Sequence, residues 1–327
     1  MVWASTTHAF EEDVDPVTAE TKPACIPASP SDATRALADH VEWPTIGVAV
    51  FVYGMFGLVT WFHDALPWWL LVPVGGYLVA LHGSLQHEVV HGHPTPWRWL
   101  NETLVFPSLW LWLPYGLYRQ SHLLHHCDKT LTDPVEDPES FYLTADAWAR
   151  LPAPARWILT ANNSALGRLL FGPPLVIARF LHAELTDTFW TRDRATAWLL
   201  HVGGAAAVAV WVSVVCGMPL AEYVLAVAYP GIALTLLRSF AEHRADPDPA
   251  RRTAIVEAEA PLALLFLNNN LHVVHHAHPG AAWYRLPQLY RRRDFATAGE
   301  TYDGYRSVIF RHFLRPRQPV VHPLHAA

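Results

Sequence analysis

Two long stretches of this chain, 44–97 and 195–237, contain no lysine or arginine; all 23 basic residues fall outside them. Each stretch holds a pair of apolar segments. The first pair runs over about 44–61 and 67–85 and is joined by the polar turn Phe62-His63-Asp64. The second runs over about 197–215 and 220–237 and turns at Cys216-Gly217-Met218-Pro219. These lengths approach the ~20 residues that carry a helix across the hydrocarbon core. Buried helices of a large soluble protein would look similar, but they have no reason to exclude positive charge from both turns. The flanks carry Arg98, Arg119, Lys129, Arg192, Arg194, Arg238, Arg244 and Arg291-Arg292-Arg293. Positive charge gathers on the cytoplasmic side of membrane helices, so the flanks and both termini are expected there. The expected fold class is all-α and integral to the membrane: four transmembrane helices in two hairpins, with a cytoplasmic helical cap.

Composition agrees. Only 16% of the residues are charged, against about 25% in ordinary soluble domains. Fifteen tryptophans suit the boundary between hydrocarbon and water. A net charge of −6 offers no basic face, so no nucleic-acid partner is expected. Cys25, Cys127 and Cys216 form no C-x-x-C pair, which argues against a thiolate zinc site and fits a reducing compartment. The N-terminus lacks a basic region followed by an apolar one, so no cleaved signal is expected. Residues 1–40, rich in Pro, Ala, Ser, Thr and acids, read as a mobile tail; a membrane domain over 41–310 and a C-terminal tail over 311–327 follow. Two shorter apolar stretches, 104–118 and 166–181, are interrupted by Pro or Gly and read as interfacial or re-entrant helices.

Twenty histidines are the compositional outlier. Eight fall in three boxes: His87-Glu88-Val89-Val90-His91, His122-Leu123-Leu124-His125-His126 and His272-Val273-Val274-His275-His276. On a helix, residues i and i+4 share a face, so two imidazoles at that spacing can reach one metal. One such pair in a histidine-rich chain is commonly incidental. Three boxes on the same expected side of the membrane, each just past an apolar helix or between the pairs, are not. His243 follows the fourth apolar segment and makes a ninth candidate.

The boxes, their order and their placement around the apolar pairs, from about residue 44 to residue 295, resemble the membrane fatty acid desaturase and hydroxylase superfamily. Its members carry H-x₃₋₄-H, H-x₂₋₃-H-H and (H/Q)-x₂₋₃-H-H boxes. The resemblance implies metal ligands at His87, His91, His122, His125, His126, His272, His275 and His276. His243 is similar to the extra histidine of acyl-CoA desaturases. It further implies two iron ions as cofactor, O₂ as co-substrate, and a lipid or acyl substrate in the membrane. The segment 131–140 resembles a stretch that follows box two in bacterial members, which favours desaturation of a fatty acyl chain in a bacterial inner membrane. Hydroxylation or ketone formation on a hydrocarbon or carotenoid is the alternative within the superfamily. The chain has no flavin or nicotinamide fingerprint and no iron–sulfur cysteine set, so a separate electron donor, a ferredoxin or rubredoxin with its reductase, is implied. The run Arg291–Arg293 could receive an acidic carrier or anionic lipid heads.

Ring orientation needs acceptors behind the ligands; Glu88, Asp128, Asp133, Asp137 and Glu242 are near enough in sequence. His82 lies off the box-one face, and His93 and His278 follow their boxes as supporting or substrate-facing groups. His8, His312, His322 and His325 are expected to be solvated in the tails, and His63 and His201 to sit at helix ends. Two other classes compete. His87-Glu88-x-x-His91 is also the zinc-hydrolase motif with the glutamate as base, but that leaves boxes two and three without purpose. A metal transporter would place acid pairs inside the crossings, and none is present.

Overall fold

A computed structural model of the protein describes residues 40–126, 129–188, 190–258, 260–292 and 299–326. The expected 1–40 tail except for its last residue, His8, Cys25, Cys127, Asp128 and Arg293 lie outside them. In chain order the helices are α1 (Trp43–Trp61), α2 (Trp68–Val90), α3 (Arg98–Val105), α4 (Tyr115–His125), α5 (Ala145–Ala149), α6 (Ala153–Asn162) and α7 (Ala165–Thr186). They continue as α8 (Arg192–Val215) and α9 (Leu220–Glu242), then α10 (Leu262–Leu265), α11 (His272–Ala277), α12 (Leu286–Arg292) and α13 (Tyr305–Arg311).

Helices α1, α2, α8 and α9 are long and apolar enough to cross a membrane. Proline marks their starts: Pro44 stands in the first turn of α1, and Pro67 and Pro219 precede α2 and α9. A missing N–H costs nothing there because the first turn has no intrahelical acceptor. Gly217 takes φ +71°, a conformation open to glycine without strain, and so turns the chain between α8 and α9. Both helices nearest the histidines outrun their apolar segments, α2 to Val90 and α9 to Glu242. Their last turns are buried by other protein elements, so hydrophobicity does not mark where they end.

Helix α2 is central and packs on α1, α3, α4 and α9, while α7 lies along α9. Small residues let α2 and α9 meet closely, as in other membrane helix pairs. A Cβ on Gly76 would lie 2.7 Å from Pro230, and one on Gly231 2.4 Å from Val79. At the other end from the histidines, His63 Nδ1 stands 3.5 Å from Glu222 Oε1 and Trp211 Nε1 donates to Thr60 Oγ1 at 3.0 Å. The two inter-helix turns therefore lie side by side, and Trp61, Trp68 and Trp69 around the first are more than half exposed.

Two expectations need correction. The stretch 104–118 is not one helix: α3 ends at Val105, and α4 starts at Tyr115 after a loop whose Leu109 and Trp110 are buried. Its Pro107 and Pro114 explain the break. The 166–181 stretch, expected to be interfacial or re-entrant, lies inside the longer α7, bent by 119° from α6 as in a broken span or a re-entrant loop. The fold is mostly but not purely helical. Strands β1 (Ala254–Val256) and β2 (Glu300–Tyr302) form a parallel pair, Ile255 opposite Thr301. Three-residue strands are too short to show a period of two in sequence.

Candidate metal centre

The nine predicted histidines converge. His87, His91, His122, His126 and His275 form one group and His125, His243, His272 and His276 a second, with the ligand atoms of each group within 4.8 Å of one another. In the first, His122 Nε2 and His126 Nε2 are 3.1 Å apart, and His126 Nε2 and His275 Nε2 are also 3.1 Å apart. In the second, His243 Nε2 lies 3.0 Å from His125 Nε2 and 2.9 Å from His272 Nε2. The rings of His126 and His276 stack at 4.4 Å across the two groups.

Helical geometry explains the partition. A step of four residues turns a helix by about 40°, and a step of three by about 60° the other way. His122 and His126 therefore point together, as do His272 and His276, and the box member between them is left to the opposite group. His87 and His91 keep their i, i+4 register on α2, whose C-cap is His91. The backbone of His243 caps α9 in an extended conformation. Before box three, Leu267 and Asn268 both have positive φ, a conformation that persists only where surrounding structure imposes it.

Carboxylates stand behind the rings. Asp137 takes His125 Nδ1 at 3.0 Å and accepts the Thr132 and Glu139 backbone N–H groups. Glu242 lies 3.3 Å from His272 Nδ1 and 3.2 Å from Arg238 Nε, and accepts the Tyr305 hydroxyl. Glu139, which sequence reasoning missed, lies 3.2 Å from His122 Nδ1. Asn269 was missed too: its Oδ1 is 3.2 Å from His272 Nδ1 and its Nδ2 3.5 Å from His87 Nε2, joining the two groups. The available signal was spacing alone, Glu139 two residues beyond Asp137 and Asn269 one turn before His272.

Not every expected acceptor serves. Glu88 accepts the Trp283 N–H at 3.1 Å and only approaches His87 Nδ1 at 4.0 Å. Asp133 faces the C-terminal segment: it accepts the Val135 and Glu136 N–H groups and pairs with His325 Nε2 at 2.8 Å. His322, expected in solvent, is fully buried against Thr132. The 311–327 stretch looks polar in sequence, but Arg317, Gln318, His322 and His325 turn their side chains onto the Ala245, His243, Thr132 and Asp133 regions. His82 contacts the Tyr53 hydroxyl and His93 pairs with Glu42 at 2.9 Å, so neither joins the histidine groups.

Burial, and then the charge of neighbouring rings, holds His91, His126, His243, His272 and His275 well below the ordinary imidazole value. Neutral imidazole is the form that binds metal. For His125 burial acts in the same direction, but Asp137 and Glu139 outweigh it and lift the ring to about 9. Burial would raise Glu139, yet His122 and His125 bring it down to about 2.

The sequence profile of the fatty acid desaturase family matches residues 65–308. No curated protein shows significant similarity to the chain. The match runs from just before α2 to within α13 and encloses all nine clustered histidines, and the chain belongs to the fatty acid desaturase family.

Proposed function

We propose that this oxidoreductase desaturates a fatty acyl chain or related lipid, using O₂ and two iron ions held by the nine histidines. The observation that carries the reading is the split into two buried all-imidazole groups, each backed by its own carboxylates. The donor set fits iron: neutral nitrogens without thiolate suit a mid-series transition metal. In addition, the buried His91 Nε2 finds no hydrogen-bond partner among the described residues. His87, His91, His122, His126 and His275 would hold one ion, and His125, His243, His272 and His276 the other. Bound iron supplies the oxidising power that breaking an unactivated C–H bond requires. The reaction balances as R–CH₂–CH₂–R′ + O₂ + 2e⁻ + 2H⁺ → R–CH=CH–R′ + 2H₂O.

The chain's own residues orient and enclose. Asp137 keeps a proton on the outward nitrogen of His125, and Asn269 Oδ1, with Glu242 close by at 3.3 Å, on that of His272, so the opposite nitrogens face inward. Trp110 packs its ring where a side chain at Gly83 would stand, 2.8 Å from that Cβ position. Gly83 stands one helical turn before His87 on α2, and Trp110 is buried against it. The charge bias around the apolar pairs supports two hairpins, with the histidine end and both termini on the cytoplasmic side, and the resemblance of 131–140 to bacterial members supports a bacterial inner membrane. The zinc-hydrolase reading loses support because Glu88, its required base, is engaged by Trp283.

The test is to express the chain with a ferredoxin and its reductase, feed deuterated fatty acids of several lengths, and analyse iron and lipids. New double bonds at one fixed position, with two deuteriums lost, are the expected result. An alcohol or ketone would move the protein to the hydroxylase branch, and zinc in place of iron would overturn the reading.

A further inference from the structure

Desaturation consumes two electrons from outside the chain, so a carrier protein must reach the cap. An open groove runs between α5, α6 and the C-terminal segment, lined by Trp148, Thr160, Pro316, Arg317, Gln318 and Val321 among others. We propose that this groove is the docking site of an acidic one-electron carrier protein; the proposal rests on the reading of the site as an O₂-dependent iron centre.

Two observations support it. The first is charge. The Arg156 guanidinium lies 5.8 Å over the Trp148 ring, one turn before Thr160. Arg150 and Arg315, both exposed, flank Trp148 and Pro316 in the chain. Among the described residues, Asp146 is exposed beside Trp148, and the partly exposed Glu300 lies 3.6 Å from Arg317 Nη2. In a chain of net charge −6, this is a locally positive surface. Such rim charges steer an oppositely charged partner and raise its on-rate. Transient electron-transfer contacts are small, below about 1,200 Å², so a rimmed groove suffices.

The second observation is connection. Arg317, in the groove wall, donates to the His243 carbonyl at 2.8 Å, and Gln318 Oε1 accepts the Ala245 N–H at 2.8 Å. From the wall to the second histidine group is one side chain and one residue. Each docking event passes one electron: the carrier is oxidised, the iron centre reduced, and two events serve each O₂ with protons drawn from solvent.

The competing occupant is an anionic membrane surface, since Trp157 on α6 is 64% exposed. The test uses the full-length, iron-loaded protein in phosphatidylcholine nanodiscs, with a reduced, acidic [2Fe–2S] ferredoxin as probe and stopped-flow detection. The variant is Arg150→Glu combined with Arg315→Glu, two exposed residues outside the histidine site. We expect the bimolecular reduction rate to fall about tenfold at low salt and to lose most of its salt dependence. Iron content and reduction by dithionite should stay unchanged. An unchanged ferredoxin rate overturns the proposal, as does a loss seen only when anionic lipid is added, which would assign the surface to the membrane. A centre that dithionite cannot reduce, or a chain without iron, instead overturns the iron reading and the docking proposal with it.

Discussion

Arg317 Nη1 donates to the backbone carbonyl of His243, 74 residues away in sequence, at 2.8 Å. The same nitrogen also reaches the Phe240 carbonyl. These are terminal carbonyls of α9, which have no intrahelical donor, so a cation there satisfies them and suits the helix dipole. Arg317 thereby fixes the backbone that presents a histidine of the second group. In Arg317→Met we expect a stability loss of about 1.5–3 kcal/mol, the range for charge-assisted hydrogen bonds. Iron should be lost selectively from the His243 group. Thermal unfolding with metal analysis checks both, and full iron with unchanged stability would contradict the assignment.

The two histidine groups differ in their reserve of ligands. His275→Ala leaves four imidazoles in its group, whereas His125→Ala leaves three. Both variants should lose activity, but His125→Ala should retain less iron. Equal full occupancy in both would refute the ligand assignment.

Asp137 and Asp133, four residues apart, should behave oppositely. Asp137→Asn keeps the shape but turns an amide N–H toward the Thr132 or Glu139 N–H. Iron affinity should fall about 10- to 100-fold, as when other supporting carboxylates are removed. Asp133→Asn should leave iron affinity alone and loosen the His325 end. Chelator competition on both variants separates the two roles.

The C-terminal segment should undock in acid. Leu324 N–H donates to His322 Nδ1, so the neutral ring uses its other nitrogen toward Thr132 Oγ1. Burial, then Arg252, lowers this ring to about 4. Its folded value lies below its unfolded one, about 6.5. The stabilisation is complete above that value and is lost as pH falls from about 6.5 towards 4. Hydrogen exchange over 312–326 should accelerate across that window in the wild type and change little in His322→Gln. Asp133, His325 and Arg252 are the neighbouring charges that shape the transition.

Trp110 should set how the substrate sits. Removing a buried tryptophan costs about 3–5 kcal/mol and here would open space one turn below His87. Trp110→Ala should shift the oxidised position or admit bulkier chains, read by mass spectrometry of the product. An unchanged product pattern at measurable turnover would remove Trp110 from the substrate site.

Local pattern was legible without a structure. Four apolar segments and the i, i+4 histidine spacing are properties of neighbouring residues, and they reappear as long apolar helices and two histidine clusters. The family likeness followed from those same motifs. What sequence could not decide depends on contacts between distant segments. The grouping of histidines into five and four required the relative rotation of α2, α4 and α11. The roles of Glu139, Asn269 and Arg317, and the diversion of Asp133 to His325, are set by which side chains meet across the fold. A buried carboxylate and a solvated one look alike in sequence. Only the packed structure creates the low-dielectric enclosure in which a ring must find its proton acceptor or remain neutral.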